Sequence, residues 1–416
     1  MEACIHRGAR EVGGSCVELR AGEWRLVLDV GLPLEPPPPG EETLLPEIPG
    51  LADGVGDKTA VVVSHGHPDH HGLLDQTHPK VPLFMGAAAN RILREAAFFT
   101  GATAPRPPTR PLKHLQPIEF GPFHLTPYLA DHSGFDAYSL LVEADGRRLF
   151  YTGDLRAHGR KPQAFHQLID HPPGNVEVLL LEGTHVRAEP SPAGQALSEE
   201  GVEHQLTELC RETDGAVLAC YSPQNVDRLV SLFKAARRTG RELVMDLYAA
   251  TIARATGRST IPVPGWEGVR VYLPDSQRRK VIDSGEFWRT DEVRTHRIYS
   301  EELGECAGRL VLTFRGSMRR EFERAGCLDG ARCVWSMWWG YLERERGRDV
   351  VEWLDQRQIP LEAVHASGHA TLVDLQRLAA AIAARRLVPV HTGAPDRFPS
   401  LFENVESRED GEWWDV

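Results

Sequence analysis

A β-branched run from Thr59 to Val63 ends at Ser64 and passes at once into His65-Gly66-His67-Pro68-Asp69-His70-His71-Gly72. An apolar run bounded in this way reads as a buried strand emptying into a loop. With 18 histidines in 416 residues, the H-x-H-x-D-H spacing arises by chance in about one of five hundred chains of this composition. Imidazole nitrogens and carboxylate oxygens are the donors that borderline divalent cations such as Zn²⁺ or Mn²⁺ accept, and a strand-to-loop position lets alternate side chains converge on one point. The pattern therefore points to a metal site at the end of a buried strand rather than to a histidine-rich surface turn.

One such loop cannot close a two-metal site, so other strand ends must supply further donors. Leu26-Val27-Leu28 runs into Asp29 and Gly31. The segments 137–144 and 147–151 flank Asp145-Gly146, a dipeptide suited to positive φ and hence to a type I′ hairpin, which delivers Asp154 at a strand end. Another apolar strand, Val176 to Leu181, terminates in Glu182-Gly183-Thr184-His185, and His132 and His391 each follow strand-like runs. Ser367, Gly368 and His369 precede a helix predicted over 371–385. Free amides and the positive end of that helix can receive a phosphate, with His369 touching it or protonating a leaving oxygen and Glu182 holding the imidazole.

Between these segments the rhythm changes. From about Ser198 strands and helices alternate: a strand at 216–220, a helix at 226–238, strands at 242–247, 310–314 and 333–337. That succession predicts a parallel, doubly wound sheet inserted into a fold that begins at residue 1 and finishes at the C-terminus. The expected organisation is 1–197, an insert at 198–348, and a completing segment at 349–416. Two proline-rich stretches, Leu32 to Gly50 and Thr103 to Pro117, read as irregular loops.

Composition limits the setting. The net charge of −12 excludes a global basic footprint. Seven scattered cysteines without C-x-x-C argue against a disulfide framework or a zinc ribbon. The absence of a long apolar stretch predicts no membrane span, and the expected compartment is the cytoplasm.

Taken together, these motifs resemble the metallo-β-lactamase superfamily over nearly the whole chain, with Asp29, His65 to His70, His132 and Asp154 matching its first four motifs. Glu182, His369 and His391 look like motifs A, B and C of its β-CASP branch, which includes ribonuclease J and the nuclease of messenger-RNA 3′-end processing. Ala219 to Ser222, with Asn225, Arg228 and Gly240-Arg241, is similar to the start of a β-CASP domain. The resemblance implies an α/β chain: an αββα metallo-β-lactamase sandwich carrying an inserted parallel-sheet β-CASP domain. It implies two divalent ions, Zn²⁺ before Mn²⁺, one held by His65, His67 and His132 and the other by Asp69, His70 and His391. Asp154 would bridge them and Asp29 would orient the histidine loop. Asp69, Asp154, Glu182 and His369 would be the catalytic groups, with Ser367, Gly368 and His369 on the phosphate.

In that family a histidine at motif C accompanies RNA-directed members, so His391 in Pro-Val-His-Thr favours RNA over DNA. The expected activity is hydrolysis of RNA phosphodiesters, endonucleolytic or from the 5′ end, by a hydroxide between two metals. The alternatives are a DNA-directed β-CASP nuclease, a small-molecule thioesterase or lactonase of the superfamily, and a non-catalytic scaffold, though no ligand is missing. Arginine clusters at 237–241, 278–280, 315–320 and 344–348 are expected to face phosphates.

Overall fold

The structure, a computed structural model, describes residues 1–35, 37, 40, 42–187 and 197–416. It divides into two compact units, the first comprising 1–94, 103–195 and 368–416, the second 95–102 and 196–367. Part of the proline-rich stretch after Leu32, and residues 188–196 beside the expected domain boundary, lie outside the described residues.

The first unit contains β1 (Glu2–Arg7), β2 (Cys16–Ala21), β3 (Trp24–Leu28), β4 (Thr59–Val62), β5 (Leu83–Gly86), β6 (Arg110–Leu112), β7 (Ile118–Phe120), β8 (Phe123–Leu129), β9 (Tyr138–Ala144), β10 (Arg147–Tyr151) and β11 (Val178–Glu182). The second unit contributes β12 (Val217–Cys220), β13 (Glu242–Asp246), β14 (Val269–Tyr272), β15 (Leu310–Thr313), β16 (Arg332–Trp335) and β17 (Leu361–Ala363), after which β18 (Arg386–Val390) and β19 (Trp413–Asp415) return to the first.

In the first unit two sheets, ordered β19-β1-β2-β3-β4-β5-β6 and β18-β11-β10-β9-β8-β7, pack through one core. Leu26 and Val62 from one sheet meet Leu140, Val142 and Leu180 from the other. Their sequence neighbours point the opposite way: Val61 and Val63 into a cluster with Leu73 and Leu93, Leu179 and Leu181 into one with Phe165, Leu168, Leu375 and Leu378. Side chains alternate along a strand, so a strand covered on both faces must be apolar at every position. This explains the continuous runs in the sequence, and it builds an αββα sandwich with helices Pro162–Asp170 and Leu372–Ile382 on an outer face. The hairpin forms at Asp145 and Gly146, with φ of 53° and 71°, and pairs Ala144 with Arg147.

The second unit holds a wholly parallel sheet, ordered β14-β13-β15-β12-β16-β17, with buried clusters on both faces. Asn225 caps the helix Val226–Arg238 by accepting the Arg228 amide at 3.0 Å. The Arg228 guanidinium, fully buried, pairs with Glu199 at 2.9 Å and donates to the Ser336 carbonyl at 2.7 Å.

Two expectations change. Residues 349–367, assigned from sequence to the completing segment of the first domain, pack in the second unit: β17 extends the parallel sheet beside β16, and Trp353 stacks on Phe314 at 5.3 Å. Within Thr103 to Pro117, expected to be irregular, β6 pairs with β5 as an edge strand, the one place in a sheet where the missing N–H of Pro111 costs no ladder bond. Among the described residues no helix is long and apolar enough to cross a membrane.

Candidate metal centre

Each strand end named in the sequence delivers its side chain to one place in the first unit. The β3 chain ends at Asp29 in the left-handed region, with φ of 62°. That turn buries its carboxylate completely, and four donors converge on it: the Ser64 amide (2.7 Å), the Ser64 hydroxyl (2.8 Å), the Tyr151 hydroxyl (2.7 Å) and His70 Nδ1 (2.7 Å). A β-carbon on Gly31 would stand 1.8 Å from the Asp69 carbonyl oxygen, so only glycine lets the chain after β3 lie against the histidine loop.

The loop itself follows β4. Pro68 opens a short helix, Pro68–His71, which turns Asp69 and His70 back toward His65 and His67. From the second sheet come His132 after β8, Asp154 after β10 and His391 after β18, the last with φ of 54°. Donor atoms of His65, His67, His132 and Asp154 all lie within 4.8 Å of one another, as do those of Asp69, His70, Asp154 and His391, and those of Asp154, Glu182 and His369. Asp154 is common to all three groups.

The imidazoles are oriented from behind. With Ser64 Oγ donating to Asp29, His65 Nδ1–H donates to Ser64 Oγ at 3.1 Å; His70 Nδ1–H donates to Asp29, and His132 Nδ1–H donates to the Gly368 carbonyl at 2.5 Å. His391 Nδ1 meets Ser15 Oγ at 2.8 Å. Each arrangement leaves Nε2 facing inward, the tautomer a metal requires.

The inward atoms fit divalent cations on two counts. Nε2 of His65, His70 and His391 and both carboxylate oxygens of Asp154 are buried and make no hydrogen bond, although His70 Nε2 lies only 3.1 Å from Asp154 Oδ2. Buried polar atoms are otherwise almost always paired. Their spacings, 3.7 Å from His65 to Asp154, 3.8 Å from His391 to Asp154 and 3.7 Å from His391 to Asp69, suit donors sharing an ion, which stand roughly 3.3 Å apart around a tetrahedral zinc. Hard carboxylates with borderline imidazoles match Zn²⁺ or Mn²⁺.

Electrostatics follows from the same crowding. Burial, reinforced by neighbouring histidines, holds His65 and His132 well below the ordinary imidazole range and hence neutral. For His70 burial is overcome by the carboxylates of Asp154 and Asp29, which raise it. Burial likewise opposes ionisation of Asp154, but the imidazoles of His391, His70 and His369 keep it well below the carboxylate range. His369, 3.2 Å from Glu182 and 3.6 Å from Asp154, is raised to about 9 against its burial by those two charges.

Some expectations are modified and some residues are new. The helix expected at 371–385 runs from Leu372 to Ile382, and Thr371 caps it by accepting the Asp374 amide at 3.1 Å, so one amide that would meet a phosphate is already engaged. Gly368 accepts from His132, and a β-carbon there would sit 2.5 Å from Ser133 Oγ, so any larger residue would need Ser133 to turn aside. Ser367 closes the second unit. Of the arginines expected to face phosphates, Arg241 is buried and donates to the carbonyls of Cys210 and Gly215, while Arg315 is bound to Asp246 at 2.5 Å; interior acceptors captured both. Ser15, Ser64 and Tyr151 were not singled out as site residues. Ser64 was detectable by its place between strand and histidine, but nothing local marks Ser15 or Tyr151.

Comparison with known proteins is consistent with this geometry. A family model described as a β-lactamase superfamily domain matches residues 39–212. Ribonuclease J of Sinorhizobium meliloti is 25% identical over 386 residues, covering 89% of this chain and 64% of its own. Ribonuclease J of Mycobacterium tuberculosis is 26% identical over 57% of this chain and 42% of its own, and an RNase J-like protein of Methanocaldococcus jannaschii is 26% identical over 50% and 48%. The chain thus spans less than two thirds of the length of these relatives. A crystal structure of a protein of unknown function from Enterococcus faecalis V583 superposes with a TM-score of 0.79 at 22% identity, covering 99% of each chain.

Proposed function

Because the chain belongs to the metallo-β-lactamase superfamily, in its ribonuclease J-like β-CASP branch, we propose that it is a metal-dependent ribonuclease. The observation that carries this reading is the set of buried, hydrogen-bond-free donors on His65, His70, Asp154 and His391. His65, His67 and His132 would hold one divalent cation and Asp69, His70 and His391 a second, with Asp154 shared; zinc is the first choice and manganese the second. Two such cations lower the pKa of a water toward neutrality and offset charge on a phosphoryl oxygen.

The protein's own groups do the rest. Asp29, Ser64, Ser15 and the Gly368 carbonyl fix the imidazole tautomers. Asp69, whose side chain is more exposed than that of His391, would accept a hydrogen bond from a water in the site. Glu182 keeps His369 protonated and aimed, and His369 donates to the phosphate or to the departing oxygen. Ser367 and Gly368 complete the phosphate contact. RNA is preferred to DNA on two grounds: the ribonuclease J relatives, and the histidine at position 391. The expected setting is the cytoplasm.

The test is to load the full chain with Zn²⁺ or Mn²⁺ and incubate it with end-labelled RNA and DNA carrying either a 5′ phosphate or a 5′ hydroxyl. Metal-dependent RNA cleavage, abolished in Asp69→Ala and His391→Ala, supports the reading. Turnover of thioesters or lactones with intact RNA refutes it.

A further inference from the structure

One face of the helix Val226–Arg238 carries Phe233, Lys234, Arg237 and Arg238, and opposite it stand Pro262 and Trp266. These side chains line an open, solvent-facing cleft of about 480 Å³, within the volume range of small-molecule sites. The cleft shares no residue with the metal centre, whose donors all belong to the first unit. Its walls differ in kind. On one side Trp266 stands edge-on to Phe233, with ring centres 5.6 Å apart, and stays partly exposed. On the other stand Lys234, Arg237 and Arg238, two of which share one acid: buried Glu203 pairs with Arg238 at 2.6 Å and with Lys234 at 3.5 Å. Arg237 is exposed and has no acidic partner among the described residues.

This local surplus of positive charge stands out in a chain whose net charge is −12. A phosphate suits a cluster of arginine forks and a lysine, and a flat base suits the open face of an indole. A fatty acyl chain would find no use for the cations, and an inorganic anion none for the indole. We propose that this cleft is a nucleotide-binding pocket, with the base against Trp266 and the phosphate on Arg237 and Lys234. The occupant is either a free nucleoside monophosphate or one nucleotide of a single-stranded RNA. Binding here does not depend on hydrolysis elsewhere in the chain, so it can be measured whether or not the ribonuclease reading stands.

The experiment titrates the full chain with adenosine 5′-monophosphate, which offers no phosphodiester to cleave, and separately with a 2′-O-methyl oligouridylate. Tryptophan fluorescence and calorimetry are the readouts. The nucleotide should quench indole emission. Arg237→Glu should weaken binding about tenfold or more, from loss of one charge-assisted contact and gain of repulsion. In Trp266→Phe calorimetric binding should persist, weakened, while the quenching is lost. The melting temperature and the hydrolysis of bis(p-nitrophenyl) phosphate should be unchanged in Arg237→Glu, since that side chain is exposed and lies outside the metal centre. If the oligonucleotide also loses affinity in Arg237→Glu, the pocket holds one unit of a strand; if only the monophosphate does, it serves the free nucleotide. No binding of either probe, equal affinity in Arg237→Glu, or quenching that survives in Trp266→Phe would overturn the proposal.

Discussion

Replacing Asp29 with asparagine tests how the site is held, because the change is nearly isosteric and touches no proposed ligand donor directly. In the wild type one oxygen, Oδ2, receives the Ser64 hydroxyl, the Tyr151 hydroxyl and His70 Nδ1–H, while Oδ1 takes the Ser64 amide. The Ser64 amide cannot invert, so the asparagine oxygen must stay with it and the new NH₂ faces the other three groups. Both hydroxyls can rotate and accept. His70 cannot: to accept from NH₂ it must carry its proton on Nε2, the inward nitrogen that lies 3.1 Å from Asp154 Oδ2. The substitution therefore blocks a metal donor through a tautomer change. Loss of such an outer hydrogen bond weakens metal binding about 10- to 100-fold, and the lost charged hydrogen bond costs about 1.5–3 kcal/mol of folding stability. Competition against a chromophoric chelator gives the zinc affinity, and denaturant unfolding of the metal-free protein gives the stability. An affinity within about twofold of wild type, accompanied by the full stability loss, would refute the tautomer argument, since Asp29 would then be a packing residue only.

Further outcomes follow from the same geometry. His369→Ala should reduce RNA turnover while metal content by mass spectrometry stays near wild type; equal loss of both would make His369 a ligand. Gly31→Ala forces a β-carbon into the Asp69 carbonyl and should deplete metal in the purified protein, with a wild-type metal load counting against the close approach. Glu199→Ala leaves the buried Arg228 guanidinium unpaired and should cost about 3–5 kcal/mol in denaturant unfolding; a loss under about 1 kcal/mol would mean that Ser336 and water suffice. Chelation should lower the melting temperature, because a metal at about 100 times its dissociation constant stabilises the folded state by about 2.7 kcal/mol; an unchanged melt would mean that the donor cluster binds no ion tightly.

The donors of the proposed centre were legible in the primary structure because each follows an apolar strand, and a strand end is a local feature. His65 to His70 after β4, Asp154 after the Asp145-Gly146 hairpin, and His391 after β18 could all be found without knowing which strands pair. The alternation of strands and helices after Ser198 was legible for the same reason. What the sequence could not reveal depended on neighbours distant along the chain. Ser15 reaches His391 and Tyr151 reaches Asp29 only because two sheets stack. Arg241 and Arg315 look like any other basic residues until carbonyls and a carboxylate close round them. Residues 349–367 join the second unit through the pairing of β17 with β16 and the burial of Val350, Trp353 and Leu354 in its core; their helical spacing marks a buried face but not the unit it packs on. Local pattern determines which side chains arrive at the ends of strands; long-range packing decides which of them are oriented, neutralised or buried, because burial and pairing are properties of the assembled neighbourhood and not of any one segment.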